Sequence, residues 1–267
     1  MHTVTAVSPT TILFYGGLST ASRRQAASDP TIYAYAPLSP TPFTAIPPST
    51  TNPSPPPRFG HTALPFPPNS PTNSILVING FTQDYESSIF RVTTSPNATW
   101  SRVNSTSPSP GVLHASYGHA TAVLYSDATA AIVAIFAGTT TGGSSTNALT
   151  VTKLTHDTAT DIVTSQHYNP TTNTPPDATS SSAFTAATNG AGIMCMYVHG
   201  GIDTASATIH SSLYSFCPTE QLTASTDLGG SNMFGNELFE WTSLVTHNKT
   251  FQPVPRYARA GAGRSWQ

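Results

Sequence analysis

Charge is what this sequence has least of. Asp, Glu, Lys and Arg make up 8% of its 267 residues, against about a quarter in an ordinary soluble domain. Lysine occurs only at Lys153 and Lys249, and the net charge is −2. No basic stripe exists to neutralise phosphates, and no Lys/Arg run exists to hold an anionic membrane. Long apolar runs are missing too. The longest, AAIVAIFAG at 130–138 and GIMCMYV at 192–198, are strand-sized and far short of the roughly 18 residues of a membrane helix. The N-terminus has neither a positive n-region nor a leader-length apolar core, so no signal peptide is expected there. G-x-S-x-G, H-E-x-x-H, Walker A and C-x-x-C stretches are all absent, which removes the commonest hydrolase, zinc and nucleotide signatures. Apolar residues nowhere follow helical spacing for three turns, so essentially no helix is expected.

Thr, Ser, Pro and Asn take the place of charge. Hydrophobic residues still reach 37%, enough for a core. The 24 Pro and 18 Gly stay below the roughly 25–30% of low-complexity chains. They punctuate short apolar runs, as turns punctuate strands.

Those runs repeat. TILFYGG, SILVING, AIVAIFAG and IMCMYVHGG end at Gly17, Gly80, Gly138 and Gly201, which stand 63, 58 and 63 positions apart. Before the second and third come RFGHTAL and YGHATAVL, placing His61 and His119 each 19 residues ahead of their glycine. The fourth is preceded by the weaker SSAFTAA. After each glycine comes an alternating strand (31–37, 87–93, 147–154, 211–217), then a shorter one (41–47, 99–104, 160–166, 240–245), twice marked by a tryptophan. Four short strands at a fixed period predict a β-propeller, in which stacked four-stranded units hide one another's apolar faces. A Greek-key β-sandwich also has many short strands but requires no such period.

The set resembles the kelch repeat, shared with the central domain of galactose oxidases. In that pattern strand two ends in a glycine pair, strand three carries an aromatic and strand four a Trp. The pair falls on Gly16–Gly17 and Gly200–Gly201, and in degenerate form on Asn79–Gly80 and Ala137–Gly138. The aromatic falls on Tyr33, Phe90 and Tyr214, with Leu149 departing. The Trp falls on Trp100 and Trp241, with Phe43 and Ile162 departing. The units exceed the kelch period of about 50 residues, the excess lying in polar loops.

The resemblance implies a single all-β domain over residues 1–267. Its strand sets lie near 11–47, 57–104, 117–166 and 181–245. They form about four blades, either a whole ring or a piece of a larger one. PRYARAGAG at 255–263 echoes PRFGHTALP at 57–65, so pairing of 255–263 against 11–17 is expected to close the ring. Kelch-like rings usually bind protein partners, sometimes glycans, through their loops. The expected function is therefore a non-catalytic interaction or adhesion module without a cofactor.

Two alternatives stand beside it. A degenerate copper-radical oxidase would need a Tyr–Cys pair and two His on the axis. A carbohydrate-binding propeller would need exposed aromatics such as Tyr85 or Trp100 on one face. His61 and His119 share a repeat position, which points to a structural role over a metal one, and His199 has no partner at metal spacing. Cys195 and Cys217 are either a disulfide across an antiparallel pair or two buried thiols. The glycine-bearing TTTGGSSTN at 139–147 has no helix after it and reads as a loop. Asp84, Glu86, Asp157 and Asp161 read as solvated loop charges. Sequons at Asn97, Asn104 and Asn248 favour an extracellular or cell-surface setting over a cytoplasmic one.

Overall fold

The computed structural model describes residues 3–17, 31–50, 55–67, 74–82, 87–94, 97–106, 111–170, 175–228 and 238–244. Among them every regular element is a strand. The first sheet holds β1 (Thr3–Ser8), β2 (Thr11–Tyr15), β3 (Ile32–Tyr35) and β4 (Phe43–Ile46); the second holds β5 (Thr62–Pro65), β6 (Ile75–Ile78), β7 (Ile89–Thr93) and β8 (Thr99–Arg102). The short β9 (Asn104–Ser105) leaves the second sheet and joins the third, made of β10 (Ala120–Ser126), β11 (Ala130–Phe136), β12 (Leu149–Asp157) and β13 (Ile162–Tyr168). The fourth holds β14 (Ala183–Thr188), β15 (Met194–His199), β18 (Leu213–Pro218) and β19 (Phe239–Ser243), with the hairpin β16 (Ile202–Asp203)–β17 (Thr208–Ile209) inserted after β15. The four main strands of each sheet form an antiparallel meander in chain order, and β9 adds to the third in parallel, against β13.

The second strand of each sheet sits between two neighbours, and in the second and third sheets it is buried on both faces. That is why β6 and β11 read as unbroken apolar runs, with every residue of each buried. β10 pairs on one side only with its own sheet and alternates buried with half-buried residues.

Strand pairing aligns the four sheets residue by residue. Thr3 faces Tyr15 as Thr62 faces Ile78, Ala120 faces Phe136 and Ala183 faces His199. Three sequence expectations change under this alignment. The first unit does have a first strand, β1, and β2 is paired by β1 on one edge and β3 on the other. No edge of 11–15 is therefore free for 255–263, a segment outside the described residues. The strand-three aromatic slot of the third unit belongs to Thr150, opposite Ile135, not to Leu149. Its strand-four Trp slot belongs to His167, opposite Thr152, not to Ile162, which is 56% exposed at the strand's start.

Among the described residues the apolar clusters join consecutive sheets. Leu13, Tyr15 and Ile32 of the first pack on Ile75, Val92 and Trp100 of the second. Leu76, Ile78 and Ile89 pack on Val133, Ile135 and Leu154 of the third. Ile132, Phe136 and Val151 pack on Met196, Phe216 and Trp241 of the fourth. As expected from the repeat, the strand-four tryptophans bridge units: Trp100 lies 4.9 Å from Tyr15, and Trp241 lies 4.8 Å from Phe136. Cys195 and Cys217 face each other across the central pair β15–β18 and form a disulfide, Cα–Cα 4.5 Å. That resolves the choice between bridge and free thiols.

Candidate functional site

The repeat residues converge where the second strand of each unit ends. Gly16 and Gly17 have φ of 67° and 127°, and Gly200 and Gly201 have 68° and 103°. The degenerate pairs adopt the same turn: Asn79 and Gly80 at 54° and 105°, Ala137 and Gly138 at 64° and 104°. The second position is glycine in all four, and in the last three units the segment leading into the unit's own first strand crowds it. A Cβ on Gly80 would stand 2.9 Å from the His61 Cβ, and one on Gly138 3.0 Å from the Ser116 Cβ. The glycine N–H then donates to the following unit: Gly17 to the Arg58 carbonyl at 3.0 Å, Gly80 to Ser116 at 3.0 Å, and Gly138 to Thr179 at 2.8 Å.

A second tier of bonds lies beside the first. Gly118 N–H donates to the Gly60 carbonyl and Ser181 N–H to the Gly118 carbonyl, both at 2.7 Å. A third uses side chains. His61 Nε2 bonds Thr3 Oγ1 at 2.7 Å, and His119 Nε2 bonds Thr62 Oγ1 at 3.0 Å, each reaching back to the previous unit's first strand. Both imidazoles are buried. Burial lowers the His119 pKa from 6.5 to about 4, against a weaker opposing hydrogen bond from the Ser116 backbone. The ring is neutral at pH 7, which suits a hydroxyl partner. Arg58, fully buried, donates from Nη1 to the Asn79 carbonyl at 2.9 Å and lies 4.9 Å from the centre of the Phe90 ring.

The first strands β1, β5, β10 and β14 border one shared cavity of about 390 Å³. Hydroxyls of Thr3, Thr62, Thr121, Ser181 and Ser182 line one part of it, with His61 and His119. Val4, Leu64, Val123 and Phe184 line the rest. No Asp, Glu, Lys or Arg is among the described residues that line it.

Other predicted residues fall elsewhere. Trp100 is 3% exposed and cannot serve as a surface platform for a sugar, while Tyr85, Asp84 and Glu86 lie outside the described residues. Asn97 and Asn104 are exposed, ahead of β8 and on β9; Asn248 lies outside the described residues. His199 ends β15 in the slot of Tyr15, Ile78 and Phe136. Among the described residues no group of three His, Cys, Asp or Glu is placed to hold a metal ion.

Asp161 is not a mere solvated charge. Its Oδ1 accepts from Arg91 Nη2 at 2.9 Å and contacts His156 Nε2 at 2.9 Å, and its carbonyl accepts from Arg91 Nη1 at 2.6 Å. Arg91 is buried in β7, and Asp161 sits in the β12–β13 turn of the next sheet. The Arg91 hydrogen bond, then that of His156, pulls the Asp161 pKa below its ordinary value, against partial desolvation. Spacing carried no signal for this clamp, nor for the Thr–His bonds, because each joins residues of different units.

No family model matches the chain, and no curated protein matches it at a significant level. Solved structures do match. One is described as the cryo-EM structure of RAG in complex with one melted and one unmelted RSS; it is 16% identical, with a TM-score of 0.54, and the match covers 91% of this chain and 67% of that one. Another, described as the structure of YjhT, is 12% identical with a TM-score of 0.51, covering 80% of this chain and 67% of that one. No helix among the described residues is long and apolar enough to cross a membrane. At such identities the likeness is one of fold alone, and the chain is an all-β protein built from successive small antiparallel sheets.

Proposed function

We propose that the chain is a kelch-like β-propeller of about four blades, acting without catalysis as an interaction or adhesion module outside the cell or at its surface. One observation carries the reading. The polar repeat residues are taken up in bonds from unit to unit, whereas the loops after the second strands of the third and fourth units are polar and largely exposed. His61 and His119 hold threonine hydroxyls, and the glycine turns hold backbone carbonyls. The loop from Thr140 to Ser144 is tied to the loop from Thr204 to Ala207: Thr204 Oγ1 donates to the Gly143 carbonyl at 2.7 Å, and Thr204 N–H donates to Ser145 Oγ at 2.9 Å. Together they form one exposed Ser/Thr/Gly surface on a rigid base, the usual arrangement for recognition of a protein or glycan. The Cys195–Cys217 disulfide fits an oxidising compartment, as do the exposed sequons at Asn97 and Asn104. It also occupies both thiols, so neither is free for the Tyr–Cys link of a copper-radical oxidase.

Labelled protein added to cells tests this reading. Saturable binding is expected, lost when 140–145 and 204–207 are replaced by Gly-Ser of equal length, with the fold intact by circular dichroism. Protease or glycosidase treatment of the cells then tells a protein partner from a glycan. Unchanged binding by the loop variant, or stoichiometric copper with alcohol oxidation in purified protein, overturns it.

A further inference from the structure

We infer that the cavity bordered by β1, β5, β10 and β14 binds a small uncharged polyhydroxylated molecule, a neutral monosaccharide or sugar alcohol. The site is distinct from the loop surface, and its chemistry sets the class of ligand.

Size comes first. About 390 Å³ lies within the roughly 300–1,000 Å³ of small-molecule sites. Charge comes second. With no carboxylate, ammonium or guanidinium among the described lining residues, a charged ligand would lose its hydration without a counter-charge from them. The His119 imidazole does not alter this at neutral pH, because burial holds it neutral down to about pH 4.

Hydrogen-bonding character comes third. Each lining hydroxyl has one donor and two acceptor lone pairs. Thr62 Oγ1 uses part of that capacity on His119 and on Thr121 Oγ1 at 2.8 Å. Thr121 Oγ1 has only that bond, and Ser181 Oγ has no hydrogen-bond partner among the described residues. Groups that both donate and accept suit other hydroxyls better than they suit pure donors or pure acceptors. Shape comes last. Leu64, Val123 and Phe184 follow Thr62, Thr121 and Ser182 by two residues and make part of the lining apolar, and Phe184 is 42% exposed. An exposed aromatic ring of this kind can pack on the C–H face of a sugar.

The test is a titration of the intact chain, followed by amide resonances, with glucose, galactose and mannitol as neutral probes. Glucuronate and glucosamine are the charged counterparts. At least one neutral probe should shift the amides of Thr62, Thr121 and Ser181, and the charged counterparts should bind more weakly. Thr121→Val removes a hydroxyl at constant shape and should weaken binding roughly two- to tenfold, one hydrogen bond's worth. Phe184→Ala, at an exposed position, should weaken it as well, with melting temperatures of both variants unchanged. Absence of shifts with every neutral probe means a water-filled gap and overturns the proposal. So does equal affinity for the charged probes, or binding by both variants as tight as the parent's. Because the loop variant described above leaves the cavity untouched, the two readings fail separately.

Discussion

The first sheet and its successors carry the same kind of residue in the same slots and treat them differently. In the second sheet Ile75, Val77, Phe90, Val92 and Trp100 occupy one face, and in the fourth Met196, Val198, Tyr214, Phe216 and Trp241 do. Strand register places Ile12, Phe14, Tyr33, Tyr35 and Phe43 in the matching positions of the first. Trp100 and Trp241 are 3% exposed, whereas Phe43 is 64% and Tyr33 41% exposed. A preceding sheet packs on each of the later faces; among the described residues none packs on the first. Burial here is a property of the stack, conferred by a neighbour, and not of the sheet's own composition.

Substitutions in matched slots break or sharpen that contrast. Trp241→Ala should cost about 3–5 kcal/mol, the usual loss for a large buried aromatic, and Phe43→Ala less than about 1 kcal/mol. Denaturant melts of the pair measure the difference, and equal losses would mean that the first face is covered. Glycine turns give a second contrast. Gly138 and Gly142 have φ of 104° and 95°, but a Cβ on Gly138 meets Ser116 at 3.0 Å while one on Gly142 meets nothing within 4 Å. Gly138→Ala should cost about 2–4 kcal/mol, strain plus crowding. Gly142→Ala should show strain alone, about 1 kcal/mol.

Acid probes the seam between the second and third units. Between pH 6.5 and about 4 the unfolded chain binds a proton at His119 that the folded chain refuses. Stability should therefore fall as pH drops through that window, by roughly 2–3 kcal/mol from pH 7 to pH 4.5, and level off below it. His167, lowered in pKa by burial, acts in the same direction. A His119→Gln variant should show a shallower slope in pH-dependent melts. Asp161→Asn should cost only about 1 kcal/mol, because the carboxylate is 62% exposed although its partner Arg91 is buried.

Second and third strands were legible because each carries an apolar run or alternation bounded by glycine. The glycine turns were legible because their φ values exclude most residues. β1 was not: TVTAVS has no R-F-G-H lead, and its edge position lets polar residues alternate with small ones. The third unit misled for a related reason. His167 and Thr150 stand in slots that are aromatic elsewhere, and apolar Leu149 and Ile162 nearby drew the alignment off register. The Arg91–Asp161 clamp joins residues 70 apart, so no local pattern could announce it. The cavity, formed by four strands from four units, is equally invisible along the chain.

The short parallel pairing of β9 with β13 has a mechanical meaning. Thr164 and Ser165 face Asn104 and Ser105, and one unit earlier Pro48 bridges Ala98 in the same parallel sense. The first two linkers thus run alongside the outer strand of the unit ahead before turning inward. Tension on the linker would load those bonds along the strand, in shear, so that they share the force instead of opening one by one. A stack fastened this way at the outside and by glycine turns at the inside should part between units only at forces that also threaten the sheets themselves.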